Sequence, residues 1–405
     1  MTDRIRIARM VAGVSLMAAW LAGEAVRAAE VPPHADPANV CLRGTLGNCR
    51  IRFERDKKGH VAFIGGSITE MNGYRPMVCE ILKRRFPGCE FTFTDAGISS
   101  TCSTTGAFRL QSDVLSKGPV DLFFVEFAVN DDQDAHHSPA DCVRGMEGIV
   151  RQCQAHNPRM DIVITHFLNE ASLADHQAKK TPIPVTAHEK VAERYGVSTI
   201  HLWREVAARI EAGSLTWKKF GGVHPAPYGN ALCAGMIDDL MARAWAQPLP
   251  ADAKPKDHPL PDPLDPLSYA RGRFIDPAKA KVKEGWTLGV PDWKSLKGSK
   301  RGRFTNIPML WADKSGAELT LEFEGTAVGA YVVAGPDAGV LEVRVDDKPQ
   351  NDVNLRHRFS AGLHYPRTVM FAADLAPGKH TLTLRVSEKS HGAGQAARIM
   401  QFTAN

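Results

Sequence analysis

The hydrophobic periodicity of the chain changes beyond its middle. From residue 61 to residue 245, short apolar runs alternate with longer segments whose apolar residues recur at helical spacing. The short runs are 61–64, 91–94, 120–129, 161–167 and 197–202, and the helical segments are 74–86, 140–155, 185–195, 203–212 and 227–245. This alternation is typical of parallel strands joined by crossover helices. It predicts a doubly wound, three-layer α/β domain over residues 29–247.

Seven prolines fall within residues 248–266, and such a composition cannot continue a helix or join a central strand. We therefore predict a linker or surface strap over residues 248–268. Beyond it the apolar residues alternate with period two or are β-branched, in the runs 317–323, 327–333, 339–345, 367–372 and 380–386. This pattern predicts an antiparallel β-sandwich of jelly-roll type over residues 269–405.

The first 28 residues resemble a signal peptide: three arginines precede an apolar run over residues 10–23, and small residues follow. The alternative is an uncleaved anchor, but the run is shorter than the ~20 residues of a spanning helix. Cleavage predicts a periplasmic or secreted protein without a membrane span. Its eight cysteines are then candidates for disulfides or buried thiols, and their spacing is not that of a zinc site.

The net charge of the 405-residue chain is only +5, which does not indicate binding to nucleic acid. Candidate chemistry lies instead where the predicted strands end. Ser67 follows the first strand in the segment Ile-Gly-Gly-Ser-Ile-Thr, at the sheet edge where ligands bind in open α/β domains. The N–H groups of Ser67 and Gly97 and the side chain of Asn130 can converge there as an oxyanion hole. His224 precedes the last helix, from which it can reach Ser67 as a general base.

Together, and in this order, these four segments resemble the SGNH (GDSL-type) hydrolase superfamily, whose fold is a flavodoxin-like three-layer sandwich. The resemblance covers residues 61–231, about half of the chain. It implies that Ser67 is the nucleophile and His224 the base, and that Gly97 and Asn130 complete the oxyanion hole with the Ser67 amide. The implied chemistry is hydrolysis of an ester, commonly a sugar acetate, without a cofactor or a metal.

The chain departs from the family pattern at two positions. Gly221 stands where the family has the Asp that orients the histidine ring, and Asp95 stands where the family often has Asn, which we interpret as a structural substitution. A backbone carbonyl or an acid from elsewhere can replace the missing Asp, or the site can be repurposed. The alternatives to an esterase are accordingly a non-hydrolytic carbohydrate-binding protein and a glycan O-acyltransferase.

Three further groups of residues have candidate roles. His166 and Asn169 follow the fourth strand and are expected to contact the acylated glycan substrate. Glu126, four residues before Asn130 on the predicted strand, is expected to be a buried, paired structural residue. The β-sandwich resembles galactose-binding-like domains of carbohydrate-active enzymes, and its aromatic residues either stack on sugars or pack internally: Trp286, Trp293, Trp311 and Tyr365.

Overall fold

The computed structural model describes residues 35–390 and 394–405, so the predicted signal peptide lies outside the described residues. Within the described part, no helix has both the length and the apolar character needed to cross a membrane. The chain forms a mostly parallel six-stranded sheet with helices, followed by two antiparallel sheets. This architecture confirms the predicted fold class.

The first sheet is composed of β1 (Val40–Cys41), β2 (Lys58–Gly65), β3 (Glu90–Gly97), β4 (Leu122–Glu126), β5 (Asp161–Thr165) and β6 (Ser198–Ile200). Its spatial order is β1-β6-β5-β4-β2-β3, with β1 antiparallel at one edge and the other strands parallel. The chain leaves β2 toward β3 on one side and later returns to β4 on the other. The carboxyl end of β2 is therefore the switch point at which such sheets bind ligands.

The helices of this domain are α1 (Gly47–Ile51), α2 (Ser67–Glu70), α3 (Tyr74–Arg85), α4 (Ser103–Asp113), α5 (Ala128–Gln133), α6 (Pro139–His156), α7 (Glu170–Gln177), α8 (Ile183–Tyr195), α9 (Leu202–Glu211), α10 (Trp217–Phe220) and α11 (Pro227–Ala244). The five predicted helices are observed with ends shifted by one or two residues. Helix α4 was not predicted because small polar residues fill its buried first turn, so no apolar stripe marks it.

The third predicted strand, 120–129, is wrong at its carboxyl end. Strand β4 ends at Glu126, and α5 begins at Ala128. Asn130 therefore lies in the first turn of a helix rather than on a strand. Every residue of β4 is buried, as a central strand covered by helices on both faces requires.

The proline-rich segment lies along the surface of the α/β domain. The carboxylate of Glu147 accepts the backbone N–H groups of Leu264, at 2.6 Å, and Asp265, at 3.0 Å. Arg55 donates to the carbonyl oxygen of Ala253 at 2.6 Å. These contacts make the segment a strap that is held at several points rather than a free linker.

The C-terminal part contains β7 (Arg273–Ile275), β8 (Lys281–Glu284), β9 (Thr287–Gly289), α12 (Gly302–Thr305), β10 (Met309–Ala312), β11 (Glu318–Gly325), β12 (Val328–Ala334), β13 (Val340–Val345), β14 (Lys348–Pro349), β15 (Val353–Asn354), β16 (Tyr365–Ala372), β17 (Gly378–Val386) and β18 (Ala397–Ala404). One sheet has the order β16-β12-β18-β10-β9, and the other has the order β14-β13-β17-β11-β8. Apolar residues from both sheets share one core, because alternate side chains of each strand point inward.

All eight cysteines lie in the described part of the chain, and each is a free thiol in this structure. Cys142 and Cys153 both lie in α6, as the helical spacing predicts. Burial raises the pKa of the Cys142 thiol to about 12, so this group is neutral and packs as a small apolar side chain.

Candidate active site

The nucleophile turn joins β2 to α2. A Cβ atom at Gly66 would lie 1.9 Å from Asn130 Oδ1, so only glycine fits between Asn130 and the turn. Ser67 is the first residue of α2, a position whose N–H has no acceptor within the helix. The sequence therefore presents both the hydroxyl and the free N–H of Ser67 at the switch point of the sheet.

His224 lies beside the Ser67 hydroxyl. The distance between His224 Nε2 and Ser67 Oγ is 2.7 Å, which is a hydrogen bond across 157 residues of chain. The imidazole is exposed. Among the described residues, neither a carboxylate nor a carbonyl oxygen forms a hydrogen bond with His224 Nδ1. The structure thus brings the two predicted catalytic side chains together as a pair, and no acid of residues 35–390 or 394–405 forms a hydrogen bond behind the histidine.

The conformation of Gly221 explains why no aspartate stands there. Gly221 ends α10 with φ = 111°, a left-handed conformation that favours glycine. A Cβ atom at this position would lie only 1.9 Å from the backbone nitrogen of Ala226. The loop before His224 therefore excludes any side chain at residue 221, the aspartate of the family pattern included.

Gly97 lies next to the nucleophile turn, since it pairs with Gly65 across the sheet. Its N–H donates to Asp95 Oδ1 at 2.9 Å, and the other carboxylate oxygen of Asp95 contacts Arg75 Nη2 at 2.7 Å. An oxyanion would have to take this N–H over from Asp95. The assignment of Gly97 to the oxyanion hole stays a prediction.

Asn130 is buried, with 2 % of its surface exposed. Its Nδ2 donates to Asp134 Oδ2 at 2.8 Å. Its Oδ1 has no hydrogen-bond partner among the described residues and lies against Gly66. The side chain therefore lies beside the nucleophile turn, with one of its two N–H bonds committed to a carboxylate.

Arg109 joins the ends of two strands. Its guanidinium donates to the carbonyl oxygens of Ala96, at 2.6 Å, and Gly65, at 3.0 Å. The residue is 1 % exposed. Because those carbonyls precede Gly97 and the nucleophile turn, Arg109 holds both segments at one edge. An arginine in an unrecognised helix carries no sequence signal for this role.

Glu126 is buried completely, but it is not paired as expected. Neither carboxyl oxygen forms a hydrogen bond of good geometry among the described residues, although the Gly66 N–H and the Thr69 hydroxyl lie close enough to lower the pKa of Glu126 somewhat. Burial raises the pKa of Glu126 to about 8, so the carboxyl is mostly protonated at neutral pH. The residue pairs with Gly65 in the sheet register and thus lies beneath the nucleophile turn as a neutral group.

The predicted substrate contacts of His166 and Asn169 need correction. His166 is fully buried, and its Nε2 lies 2.8 Å from Glu189 Oε1. Asn169 is 2 % exposed, caps α7 through the Ser172 N–H and donates to Asp132 Oδ2 at 2.7 Å. Both side chains turn into the protein because polar partners there satisfy them. Neither presents a surface to a substrate.

The aromatic residues of the β-sandwich mostly pack. Trp286 and Trp293 are 6 % and 9 % exposed, and each contributes to an apolar cluster. Tyr365 is 2 % exposed, and its hydroxyl donates to Asp134. These three rings are therefore internal, which is the second of the two roles considered for them.

Groups of cysteine, histidine and acidic side chains close enough to share a metal ion occur in three places: Cys41, Glu189 and His201; Cys102, Asp131 and His137; Asp131, Cys142 and His188. Two of the groups share Asp131, whose carboxylate is already satisfied. One oxygen accepts the Ser103 N–H at 2.7 Å, and the other lies 2.9 Å from His188 Nε2. Hydrogen bonds thus account for this carboxylate without an ion.

Comparisons with known proteins give one family match and several solved structures of similar fold. Residues 63–232 match the model of the GDSL-like Lipase/Acylhydrolase family. No curated protein sequence matches the chain. A crystal structure of a two-domain esterase (CEX) active on acetylated mannans, co-crystallized with mannopentaose, has a TM-score of 0.73 at 20% identity and covers 91% of this chain and 96% of that chain. A second crystal structure of a two-domain esterase (CEX) active on acetylated mannans has a TM-score of 0.73 at 20% identity. It covers 90% of this chain and 97% of that chain.

The family match confirms the resemblance to GDSL-type hydrolases over the segment that holds Ser67 and His224. The α/β domain is thus similar to GDSL-type hydrolases over residues 63–232, and this match supports the assignment of the protein as a carboxylic ester hydrolase. At 20% identity the likeness to the two-domain esterases shows the fold: an α/β domain followed by a β-rich domain.

Proposed function

We propose that the protein is a serine esterase that removes O-acetyl groups from a polysaccharide or oligosaccharide through an acyl-enzyme. The observation that carries this proposal is the 2.7 Å contact between His224 Nε2 and Ser67 Oγ. A nucleophile hydrogen-bonded to a base is the minimum unit of covalent ester hydrolysis. The family match over the same residues supports it.

In the proposed reaction Ser67 Oγ attacks the ester carbonyl carbon while His224 Nε2 takes its proton. The carbonyl oxygen becomes an oxyanion, which the Ser67 N–H and the Asn130 side chain stabilise together with Gly97 once its N–H is released. The tetrahedral intermediate collapses, and the imidazolium protonates the departing sugar oxygen, which leaves as the alcohol. Water, deprotonated by His224, then attacks the acetyl-Ser67 ester; His224 returns the proton to Ser67 Oγ as the bond to the acyl group breaks, and acetate is released.

Acetylated mannan is the first substrate to test. The two-domain esterases of similar fold are active on acetylated mannans, and likeness at this identity supports a candidate substrate through the fold alone. The exposure of His224 suits this choice, since a polymer reaches an open site more easily than an enclosed one.

The test compares acetate release from acetylated mannan and acetylated xylan by the unchanged full chain and by Ser67→Ala and His224→Ala. Ser116→Ala is the matched control, because the exposed Ser116 hydroxyl donates to the carbonyl of Ser112 and has no other hydrogen-bond partner in the part of the chain that the structure describes. We expect release by the unchanged protein and the control, and a loss of about 10³-fold or more in the other two. Equal release by Ser67→Ala would refute the proposal.

The same experiment separates the alternative functions. A glycan O-acyltransferase would move the acetyl group to an added deacetylated glycan, which mass spectrometry of the acceptor detects. A non-hydrolytic binding protein would retain glycan equally in Ser67→Ala and release no acetate. An esterase releases acetate whether or not an acceptor glycan is present.

We also propose that the protein acts in the periplasm or is secreted. The basic start, apolar run and small residues of positions 1–28 support this location. Fractionation of the source cells, with mass determination of the mature N-terminus, tests it. A full-length protein in the cytoplasmic fraction would refute it.

A further inference from the structure

Cys102 lies at the N-terminus of helix α4. It is the N-cap residue, since α4 begins at Ser103 and the Cys102 carbonyl accepts the Gly106 N–H at 2.8 Å. The first N–H groups of a helix have no partner within it, and the helix dipole adds a partial positive charge there. Both effects stabilise a thiolate at this position. The Thr105 hydroxyl of the same turn lies 3.6 Å from Cys102 Sγ.

A histidine and an aspartate stand next to this thiol. A ring nitrogen of His137, the Cys102 sulfur and a carboxylate oxygen of Asp131 lie within 4.8 Å of one another. His137 Nδ1 is 3.4 Å from Asp131 Oδ1. Although burial opposes protonation of the ring, Cys102 and Asp131 raise the pKa of His137 well above its ordinary value. The cluster therefore has the order of a nucleophile, a base and an acid that orients the base.

These neighbours distinguish Cys102 from most other cysteines of the chain. Burial raises the pKa of the thiol in six of them: Cys49, Cys79, Cys89, Cys142, Cys153 and Cys233. Burial acts on Cys102 in the same direction, but the positive charge of His137 outweighs it and lowers the pKa of this thiol below its ordinary value of 9.0. Cys102 is therefore more easily ionised than those six.

Cys102 also lines a cavity of about 270 Å³ between the α/β domain and the β-sandwich. A water molecule occupies about 30 Å³ in the liquid, so the cavity has room for a small organic molecule. Arg367 of β16 lines the same cavity and forms no hydrogen bond or ion pair with another described residue. Its guanidinium lies close enough for the charge of a Cys102 thiolate to act on it.

The other titratable groups that line the cavity are acids or phenols: Asp134, Asp141, Tyr269 and Tyr365. Asp134 already accepts hydrogen bonds from Asn130 and Tyr365, and Asp141 accepts one from the Ser138 hydroxyl at 2.7 Å. Burial raises the pKa values of both tyrosines, which stay neutral. Both carboxylates are thus committed to other donors, whereas His137 and Arg367 face the thiol.

We propose that Cys102 is a nucleophilic thiol and a site of covalent modification by small disulfides that enter this cavity. The thiolate attacks one sulfur of a disulfide R–S–S–R, and a bond from Cys102 Sγ to that sulfur forms as the reagent's S–S bond breaks. The His137 imidazolium gives its proton to the departing thiolate, which leaves as R–SH. The product is a mixed disulfide at Cys102. This reaction goes beyond the proposed ester hydrolysis and uses neither Ser67 nor His224.

The first test ranks the cysteines of the unchanged full chain. The protein is treated with 2-hydroxyethyl disulfide at pH 6, where ordinary thiols are almost entirely protonated. The remaining thiols are then alkylated in denaturant, and peptide mass spectrometry quantifies the mixed disulfide at each cysteine. Cys41 and Cys89 are internal controls, because both are only partly buried, whereas Cys102 is 6 % exposed.

We expect Cys102 to react about 10-fold faster than either control cysteine, since the reacting species is the thiolate. Faster modification of Cys41 or Cys89 would overturn the proposal. So would a Cys102 that stays unmodified after these two have reacted. This ranking needs no substitution, so it does not depend on how a variant folds.

The second test removes the charge beside the thiol. In His137→Gln we expect the rate at Cys102 to fall about 10-fold at pH 6, and the pH of half-maximal rate to rise by about 1 unit. His136→Gln, at the neighbouring exposed histidine, is the matched control and should change neither. The rates at Cys41 and Cys89 should stay the same in both variants, which excludes a general opening of the fold. Equal rates at Cys102 in the two variants would overturn the role of His137.

The thiol assay is independent of ester hydrolysis. A protein that hydrolyses no ester would refute the proposed function, and the ranking of the cysteines would still decide this proposal. Conversely, Cys102→Ser should abolish the mixed disulfide at residue 102 and leave acetate release within about 2-fold of the unchanged protein, because serine is a good N-cap.

Discussion

Restoring the aspartate of the family pattern at residue 221 should damage this protein rather than complete a catalytic triad. Gly221 has φ = 111°, and a side chain in that region costs on the order of 1–3 kcal/mol. A Cβ atom there would also lie 1.9 Å from the Ala226 nitrogen, where real contacts exceed 3.0 Å. The backbone that leads into α11 therefore has to move.

That movement breaks a hydrogen bond as well. The Ala226 N–H donates to the Phe220 carbonyl at 2.8 Å, and its loss costs about 1 kcal/mol. With the backbone strain and the repacking of the loop, we expect Gly221→Ala and Gly221→Asp each to lower the free energy of unfolding by roughly 3–5 kcal/mol.

Gly222 provides the matched control for this prediction. It also has a positive φ, 80°, but a Cβ atom there meets nothing within 4 Å. Gly222→Ala should therefore cost only the backbone strain, about 1–2 kcal/mol. Urea denaturation of Gly221→Ala, Gly221→Asp and Gly222→Ala measures the difference, and acetate release measures the activity of each variant.

Two results would refute this reasoning. Equal stability of Gly221→Ala and Gly222→Ala would show that the contact with Ala226 does not matter. A Gly221→Asp protein with a higher kcat than the unchanged protein would show that the loop can accommodate an acid behind His224.

Three further predictions follow from the contacts around the site. Burial raises the pKa of Glu126 to about 8 from its ordinary value of 4.5, so the folded chain holds a proton that the unfolded chain loses as pH rises between those values. The contribution of the Glu126 carboxyl to the free energy of unfolding is complete below about pH 4.5 and declines by about 1.4 kcal/mol per pH unit toward pH 8. Urea denaturation across that range should therefore show Glu126→Gln becoming more stable, relative to the unchanged protein, as the pH rises. A difference in stability that stays constant with pH would contradict this. Arg109→Met removes the donors to the carbonyls of Gly65 and Ala96. It should lower the free energy of unfolding by about 3 kcal/mol, measured by urea denaturation, and should lower kcat. Arg84→Met, at an exposed position, is the control and should change the free energy of unfolding by less than about 0.5 kcal/mol. Asn169→Ala removes the cap of α7 and should cost about 1 kcal/mol with the KM for acetylated glycan unchanged; a raised KM would restore Asn169 as a substrate contact.

The catalytic pair shows how far sequence reasoning reaches in this protein. Ser67 and His224 are 157 residues apart in the chain, yet the structure places their side chains 2.7 Å apart. The strand and helix pattern locates Ser67 at the carboxyl edge of a parallel sheet, and it places His224 in the loop before the last helix, from which it can reach that edge. The resemblance to GDSL-type hydrolases then implies that the two side chains meet.

His166 and Asn169 show where the same reasoning fails. They also follow a strand at that edge, but their side chains are buried against Glu189 and Asp132. Sequence position gives the edge of the sheet, whereas the direction of a side chain depends on partners from distant elements. Those partners carry no signal in the local pattern.

The periodicity of apolar residues was sufficient to predict both domain types, because burial of one face of each strand and helix is a local requirement repeated along the chain. The chemistry-bearing turn at Ser67 was readable for the same reason, since glycines and a following helix define it locally. The tertiary structure alone decided what supports that turn: Arg109 beneath two strand ends, the steric exclusion of a side chain at Gly221, and the contact from Tyr365 through Asp134 to Asn130. Each of these depends on atoms that meet across long stretches of chain, and such meetings are set by packing rather than by any local pattern.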